Sequence, residues 1–134
     1  MKKLLVAYDG SDPAKRALEQ TADLAIAMHG SVTIVRVVAV HPGLSRVDDP
    51  VEVPSVHEAE LAEAKAILGA RQVACDVLEP VGDPAATIER IAQEGGFDTV
   101  ILGSRGLGTV ARALKGSVSS HVAVHSKATV VIVH

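Results

Sequence analysis

Aromatic residues are almost missing from this chain: Tyr8 and Phe97 stand alone in 134 residues, with no tryptophan. No row of rings is available for bases to stack on, so the usual means of holding single-stranded nucleic acid is absent. A basic surplus is lacking too. Thirteen Lys and Arg face sixteen Asp and Glu, and the formal net charge of -3 provides no field for DNA or RNA. Cys75 is the single cysteine, which excludes an internal disulfide, agrees with a reducing compartment and leaves Cys75 a packing role. Long apolar runs are missing as well: after Met1-Lys2-Lys3, the run from Leu4 to Ala7 breaks at Tyr8-Asp9, too short for a signal-peptide core or a membrane span. The expectation is a cytoplasmic protein with no nucleic-acid and no membrane partner. One absence is local. No Asp or Glu follows Asp98, whereas Arg105, Arg112, Lys115 and Lys127 do, so the last part of the chain is purely cationic.

A hydrophobic content of 48% is ample for one packed core, and residues 1–134 are one domain's worth of chain. Strand and helix signals alternate throughout. Lys3 to Tyr8 is a short apolar strand. Asp9-Gly10-Ser11-Asp12-Pro13 is a turn with a capping residue and a proline at the helix start, and Ala14 to Met28 follows helical spacing. Val32 to Val40 reads as a β-branched strand broken only by Arg36, and His41 to Pro54, with three prolines and Gly43, as a loop. Val56 to Leu68 predicts a helix and Gln72 to Leu78 a strand. Gly82-Asp83-Pro84 repeats the cap-and-proline signal before a helix over Ala85 to Glu94, closed by Gly95-Gly96. Thr99 to Leu102, a helix over Ser117 to His125 and a closing strand over Thr129 to Val133 complete the series.

Five strands separated by helices predict an α/β fold: a doubly wound, mostly parallel sheet covered on both faces, because parallel neighbours need right-handed crossovers. In such sheets ligands sit beyond the carboxyl ends of the strands, where successive connections diverge. Asp9 ends the first strand and Gly103 the fourth. If those two strands are central neighbours, Asp9 and the glycine loop Gly103-Ser104-Arg105-Gly106 flank one crevice. Glycine lets backbone approach a bulky anion closely, and free amides at a helix start carry partial positive charge, a combination suited to phosphate. Arg105, inside the loop, is read as an anion contact.

Two better-known nucleotide signatures fail. Gly103 and Gly108 have the glycine spacing of a Walker A loop, but Thr109 stands where the lysine should be. Gly106-Leu107-Gly108-Thr109-Val110-Ala111 matches a dinucleotide fingerprint, yet no acid follows to hold a ribose, and the motif comes after the fourth strand instead of the first. What remains is G-x-x-G, nine residues, then Gly116-Ser117.

That pattern closely resembles the universal stress protein family, in its ATP-binding branch. Gly103, Gly106, Gly116 and Ser117 carry the likeness, together with Leu5-Val6-Ala7-Tyr8-Asp9-Gly10-Ser11, Gly82-Asp83-Pro84 and the helix start Gly116-Ser117-Val118. The resemblance implies a Rossmann-like domain of the adenine nucleotide alpha hydrolase type, with sheet order 3-2-1-4-5, and a homodimer formed through the last strands. Thr129 stands where many relatives carry proline, which leaves the dimer register open. Carried over by position, the similarity implies that Asp9 contacts the nucleoside, Ala7 lines the pocket, and Val37 meets adenine through its backbone. Leu102 and Gly103 would flank the ribose. Gly106, Gly116, Ser117 and Val118 would hold the phosphates of ATP by backbone amides, with the Ser117 hydroxyl as an added donor. Asp9 and Ser117 could each serve instead as ordinary helix caps.

Catalytic groups are scarce. Asp9 is the sole carboxylate placed in the crevice, and one carboxylate cannot both hold a ribose and activate water. His121 and His125 have the i, i+4 spacing of zinc ligands but no third ligand, so no metal site is expected there; Mg²⁺ would arrive on the phosphate oxygens of ATP. The leading expectation is an ATP-binding regulatory module whose loop from Ser104 to Lys115 is read by another protein. A slow ATPase or autophosphorylating enzyme, with Ser104, Ser117, Ser119 or Ser120 as acceptor, and a scaffold that binds no nucleotide are the alternatives.

Overall fold

The computed structural model describes residues 2–39, 54–103 and 128–134. In chain order the elements are β1 (Lys3–Ala7), α1 (Asp12–Met28), β2 (Ser31–Val35), β3 (Val38–Ala39), α2 (Pro54–Ala70), β4 (Cys75–Leu78), β5 (Val81–Gly82), α3 (Pro84–Glu94), β6 (Thr99–Gly103) and β7 (Thr129–Val133). Five strands form one parallel sheet in the order β4-β2-β1-β6-β7, and β3 pairs with β5 in a short parallel extension. Without the two short strands, this is the expected order 3-2-1-4-5. The helix expected over Ser117 to His125 lies outside the described residues.

Strand parity divides the core. Leu4 and Val6 of β1, and Tyr8 just after it, face α1 and α2, where they meet Ala14, Ala17, Leu18, Ala22, Leu61, Ala64 and Leu68. Leu5 and Ala7 face the other way, against Val35, Val100, Leu102 and the α3 residues Ile88 and Ala92. Alternate side chains of a strand point to opposite faces, so a sheet buried on both faces needs the continuous apolar run Leu4-Leu5-Val6-Ala7. The connections through α1 and α2 step outward from β1 on one face. The connection through α3 returns on the other face to β6, which pairs with β1 in the register Leu4 to Thr99, Leu5 to Val100 and Val6 to Ile101. The winding of the connections therefore reverses between β1 and β6, and beyond the carboxyl ends of such a pair is where open α/β sheets bind ligands.

Both cap signals form. Ser11 caps α1 through its side chain, which accepts from the Ala14 amide at 3.3 Å, so the helix begins at Asp12, two residues before its apolar spacing begins. The Asp83 carboxylate accepts from the Ala86 amide at 3.0 Å and caps α3. Asp83→Ala should therefore cost about 1 kcal/mol, a melting-temperature loss of about 3 °C in a thermal denaturation scan. An unchanged melting temperature would show that the cap contributes nothing.

The helix expected over Val56 to Leu68 runs two residues further at each end, as Pro54–Ala70, and two other departures have reasons in backbone chemistry. The strand read as Val32 to Val40 is interrupted at Arg36 and Val37, opposite Glu79-Pro80. The chains stay side by side, since the Arg36 amide donates to Leu78 at 2.9 Å and the Val38 amide to Pro80 at 2.8 Å. Pro80 has no N–H to return, and the ladder lapses there before resuming as β3 and β5. The strand expected from Gln72 begins at Cys75 instead, because Gln72 takes a left-handed φ of 58° in the turn that ends α2. In that turn the amides of Arg71 and Val73 both donate to Leu68. Cys75 is half-buried against the core, and burial raises its thiol pKa, in keeping with a packing role.

Candidate functional site

The crevice at the end of β1 is assembled from three consecutive residues, each with a different orientation. Tyr8 turns inward beneath α1 and α2. Its amide donates to the Val35 carbonyl at 3.0 Å, the last link between β1 and β2. Asp9 follows just past the end of β1. Its Oδ1 accepts from the Ser11 amide at 3.0 Å, which closes the turn into α1, while Oδ2 is buried and has no partner among the described residues. Gly10 then takes a φ of 83°, in the left-handed region that favours glycine. A buried carboxylate oxygen without a donor costs free energy, and such a group points to a ligand that supplies one.

The second strand offers a backbone reader beside it. The Arg36 and Val38 amides are spent on the β4–β5 side, whereas the Val35 carbonyl faces β1. Strand alternation therefore turns the amide and carbonyl of Val37 toward the β1 side, past the point where β1 has ended. A donor and an acceptor side by side suit the edge of a heterocyclic base. The Val37 side chain packs with Val35 on the α3 face, as any valine there would. Ala7 and Leu102, on that same face, are both 1% exposed and wall the crevice from below.

Gly103 closes the other side, and its reason for being glycine lies in the fold. A Cβ on Gly103 would stand 2.8 Å from the Ala14 amide nitrogen and 2.9 Å from the Pro13 carbonyl carbon, so the first turn of α1 rests directly on the end of β6. The structure thus brings Ala7, Asp9, Val37, Leu102 and Gly103 to the carboxyl ends of adjacent strands β2, β1 and β6. Arg105, Gly106, Gly116, Ser117 and Val118 lie outside the described residues, as do His121 and His125.

Sequence reasoning missed the polar side chains that underlie the crevice. Arg36, noticed only as an interruption, is 7% exposed and pairs its Nη2 with Glu60 Oε2 of α2 at 3.1 Å. Its parity with Val32 and Ile34, which both face α2, was the available signal. Glu60 also reaches the β1 turn: a Cβ on Gly10 would meet its Oε1 at 2.9 Å. Lys15 pairs with Glu63 at 2.9 Å in an exposed contact that raises the ammonium pKa. Tyr8 is 1% exposed. Burial first, then the neighbouring Glu63 carboxylate, push its pKa well above the ordinary tyrosine value and keep the hydroxyl protonated. Among the described residues no three His, Cys, Asp or Glu side chains are grouped to hold a metal ion, and no helix is long and apolar enough to cross a membrane.

Comparison with known proteins agrees with this fold. A universal stress protein from Thermus aquaticus is 34% identical over 142 residues, with 98% of each chain covered. Stress response protein NhaX of Bacillus subtilis is 27% identical over 160 residues, covering 98% of this chain and 96% of its own. Among solved structures, a universal stress protein in complex with cAMP superposes with a TM-score of 0.73 at 29% identity, over 99% of this chain and 97% of that one. With the profile of the Universal stress protein family matching residues 1–134 from end to end, the chain belongs to that family.

Proposed function

We propose that this protein binds an adenine nucleotide, ATP in the first place, at the crevice between β1 and β6, and that it acts in the stress response as a nucleotide-dependent regulatory module. The observation that carries the reading is the buried, unpartnered Oδ2 of Asp9 at the point where the winding of the connections reverses. A ribose hydroxyl is a donor of the right kind for it, and the Val37 backbone lies beside it for the base edge. A relative of the same fold and 29% identity was solved with cAMP, which supports an adenine ligand as the class. The phosphates would lie toward Gly106, Gly116, Ser117 and Val118, with Arg105 as a further anion contact, and Mg²⁺ would be carried by phosphate oxygens.

Binding without turnover is the reading for this site, because Asp9 is committed to the nucleoside. The protein would work as a homodimer through β7. Among the described residues that strand pairs with β6 alone, and its valines and Ile132 are only partly buried, an apolar edge that a second copy would cover. A downstream protein would read the occupied state.

Nucleotide released by denaturing the purified protein and identified by chromatography tests the reading, and an adenine nucleotide at near-stoichiometric amount is the expected result. Gly106→Val should then lower the affinity for ATP to that of adenosine, since a branched side chain bars the phosphates and leaves the nucleoside contacts in place. ATP binding unchanged in a folded Gly106→Val variant would refute the phosphate assignment, and intact ATP after hours with Mg²⁺ would set aside the ATPase alternative.

A further inference from the structure

The two chain segments that would hold a nucleoside are joined by one side chain from outside the crevice. Asp9 and Val37 are the anchors for sugar and base; the neighbour of one pairs with Glu60, and the neighbour of the other is a glycine whose missing Cβ leaves the space Glu60 occupies. Gly10, next to Asp9, lies so close to Glu60 Oε1 that a Cβ there would be 2.9 Å away. Arg36, next to Val37, pairs its Nη2 with Glu60 Oε2 at 3.1 Å. The pair is largely shielded from water, with the Arg36 side chain 9% and the Glu60 side chain 21% exposed. The low-dielectric surroundings strengthen this ion pair. Glu60 is itself fixed, since Leu61, Ala64 and Leu68 of α2 are buried in the core on the same helix. Among the described residues, the Tyr8 amide to the Val35 carbonyl is the last backbone hydrogen bond between these two segments.

We infer that Glu60 is a positioning residue for the nucleoside: it braces the Asp9–Gly10 turn against the Arg36–Val37 segment and sets the distance between the sugar anchor and the base anchor. This rests on the nucleoside reading given above. A ligand that touches both anchors gains from their spacing being fixed in advance, whereas a fragment that touches one of them gains nothing. Glu60 contacts no ligand atom in this arrangement, so its removal separates fragments from whole nucleosides.

The experiment measures adenosine, adenine and ribose 5-phosphate binding by ligand-detected NMR or calorimetry, in the parent protein and in Glu60→Ala. Adenosine affinity should fall about tenfold in Glu60→Ala, as a lost advantage of prearranged anchors, while adenine alone and ribose 5-phosphate alone bind as in the parent. Equal adenosine affinity in both proteins would overturn the brace and leave the nucleoside reading standing. Equal losses for adenosine and for both fragments would also overturn it, since that is what general damage to the fold produces. Failure of the parent itself to bind adenosine would overturn the nucleoside reading, and the brace with it. Should Glu60→Ala fold poorly, Arg36→Met removes the other end of the brace and is expected to show the same split between whole ligand and fragments.

Discussion

Asp9→Asn is expected to weaken adenosine binding about 100-fold while the melting temperature stays the same or rises. The two halves of that result come from the two carboxylate oxygens. Oδ1 is engaged by the Ser11 amide and shapes the turn into α1, and asparagine keeps an oxygen for it. Oδ2 is buried with no donor among the described residues, so in the free protein it pays desolvation without return. Asparagine puts a neutral NH₂ there, which relieves the buried charge but turns an acceptor into a donor facing a ribose hydroxyl. A hydrogen bond to a charged group is worth about 1.5–3 kcal/mol, and its loss corresponds to roughly one to two orders of magnitude in affinity. Calorimetry of adenosine binding together with chemical denaturation provides both numbers. A variant that loses stability and keeps its affinity would assign Asp9 to capping the turn and nothing more.

Capping, unlike ligand binding, needs only a few residues of sequence, and this is why the fold was far more legible than the site. The Ser11-Asp12-Pro13 and Asp83-Pro84 signals fall where α1 and α3 start, and the apolar runs at Leu4, Val32 and Val100 are the buried strands. Sheet order came with the family resemblance that the glycine pattern carries, and the meeting of Asp9 and Gly103 depended on β1 and β6 being neighbours, as they are. What could not be read is whatever depends on a partner distant in sequence. Pro80 interrupts a strand more than forty residues before it. Glu60, one of many acids on a helix rich in Ala and Glu, acquires its role only when Arg36 and Gly10 are brought to it. Tyr8 looks like the end of a strand until α1 and α2 close over its hydroxyl. Gly103 opens the glycine motif and reads as a place of ligand approach, and only the fold shows that the backbone of α1 rests on it as well.

Gly103→Ala separates those two uses, and it is expected to be strongly destabilising. The added Cβ would meet main-chain atoms, the Ala14 nitrogen at 2.8 Å and the Pro13 carbonyl carbon at 2.9 Å, and neither is the far end of a flexible side chain. Both belong to the first turn of α1, where Pro13 and Ala14 are buried and the Ala14 amide is the donor to the Ser11 cap. Relief requires that turn to lift from β6, which sacrifices the cap as well as the packing. Overpacking and a lost cap together amount to about 2–4 kcal/mol. Gly69→Ala is the matched control: nothing lies within 4 Å of its added Cβ in α2, so it should gain about 0.5–1 kcal/mol. Urea denaturation of the two variants checks the contrast. Because the Asp9–Gly10–Ser11 turn runs straight into the displaced helix start, adenosine affinity measured well below the melting temperature should also fall in Gly103→Ala. A Gly103→Ala protein as stable as its parent would mean that α1 does not rest on β6 as described, and the wall of the crevice would have to be redrawn.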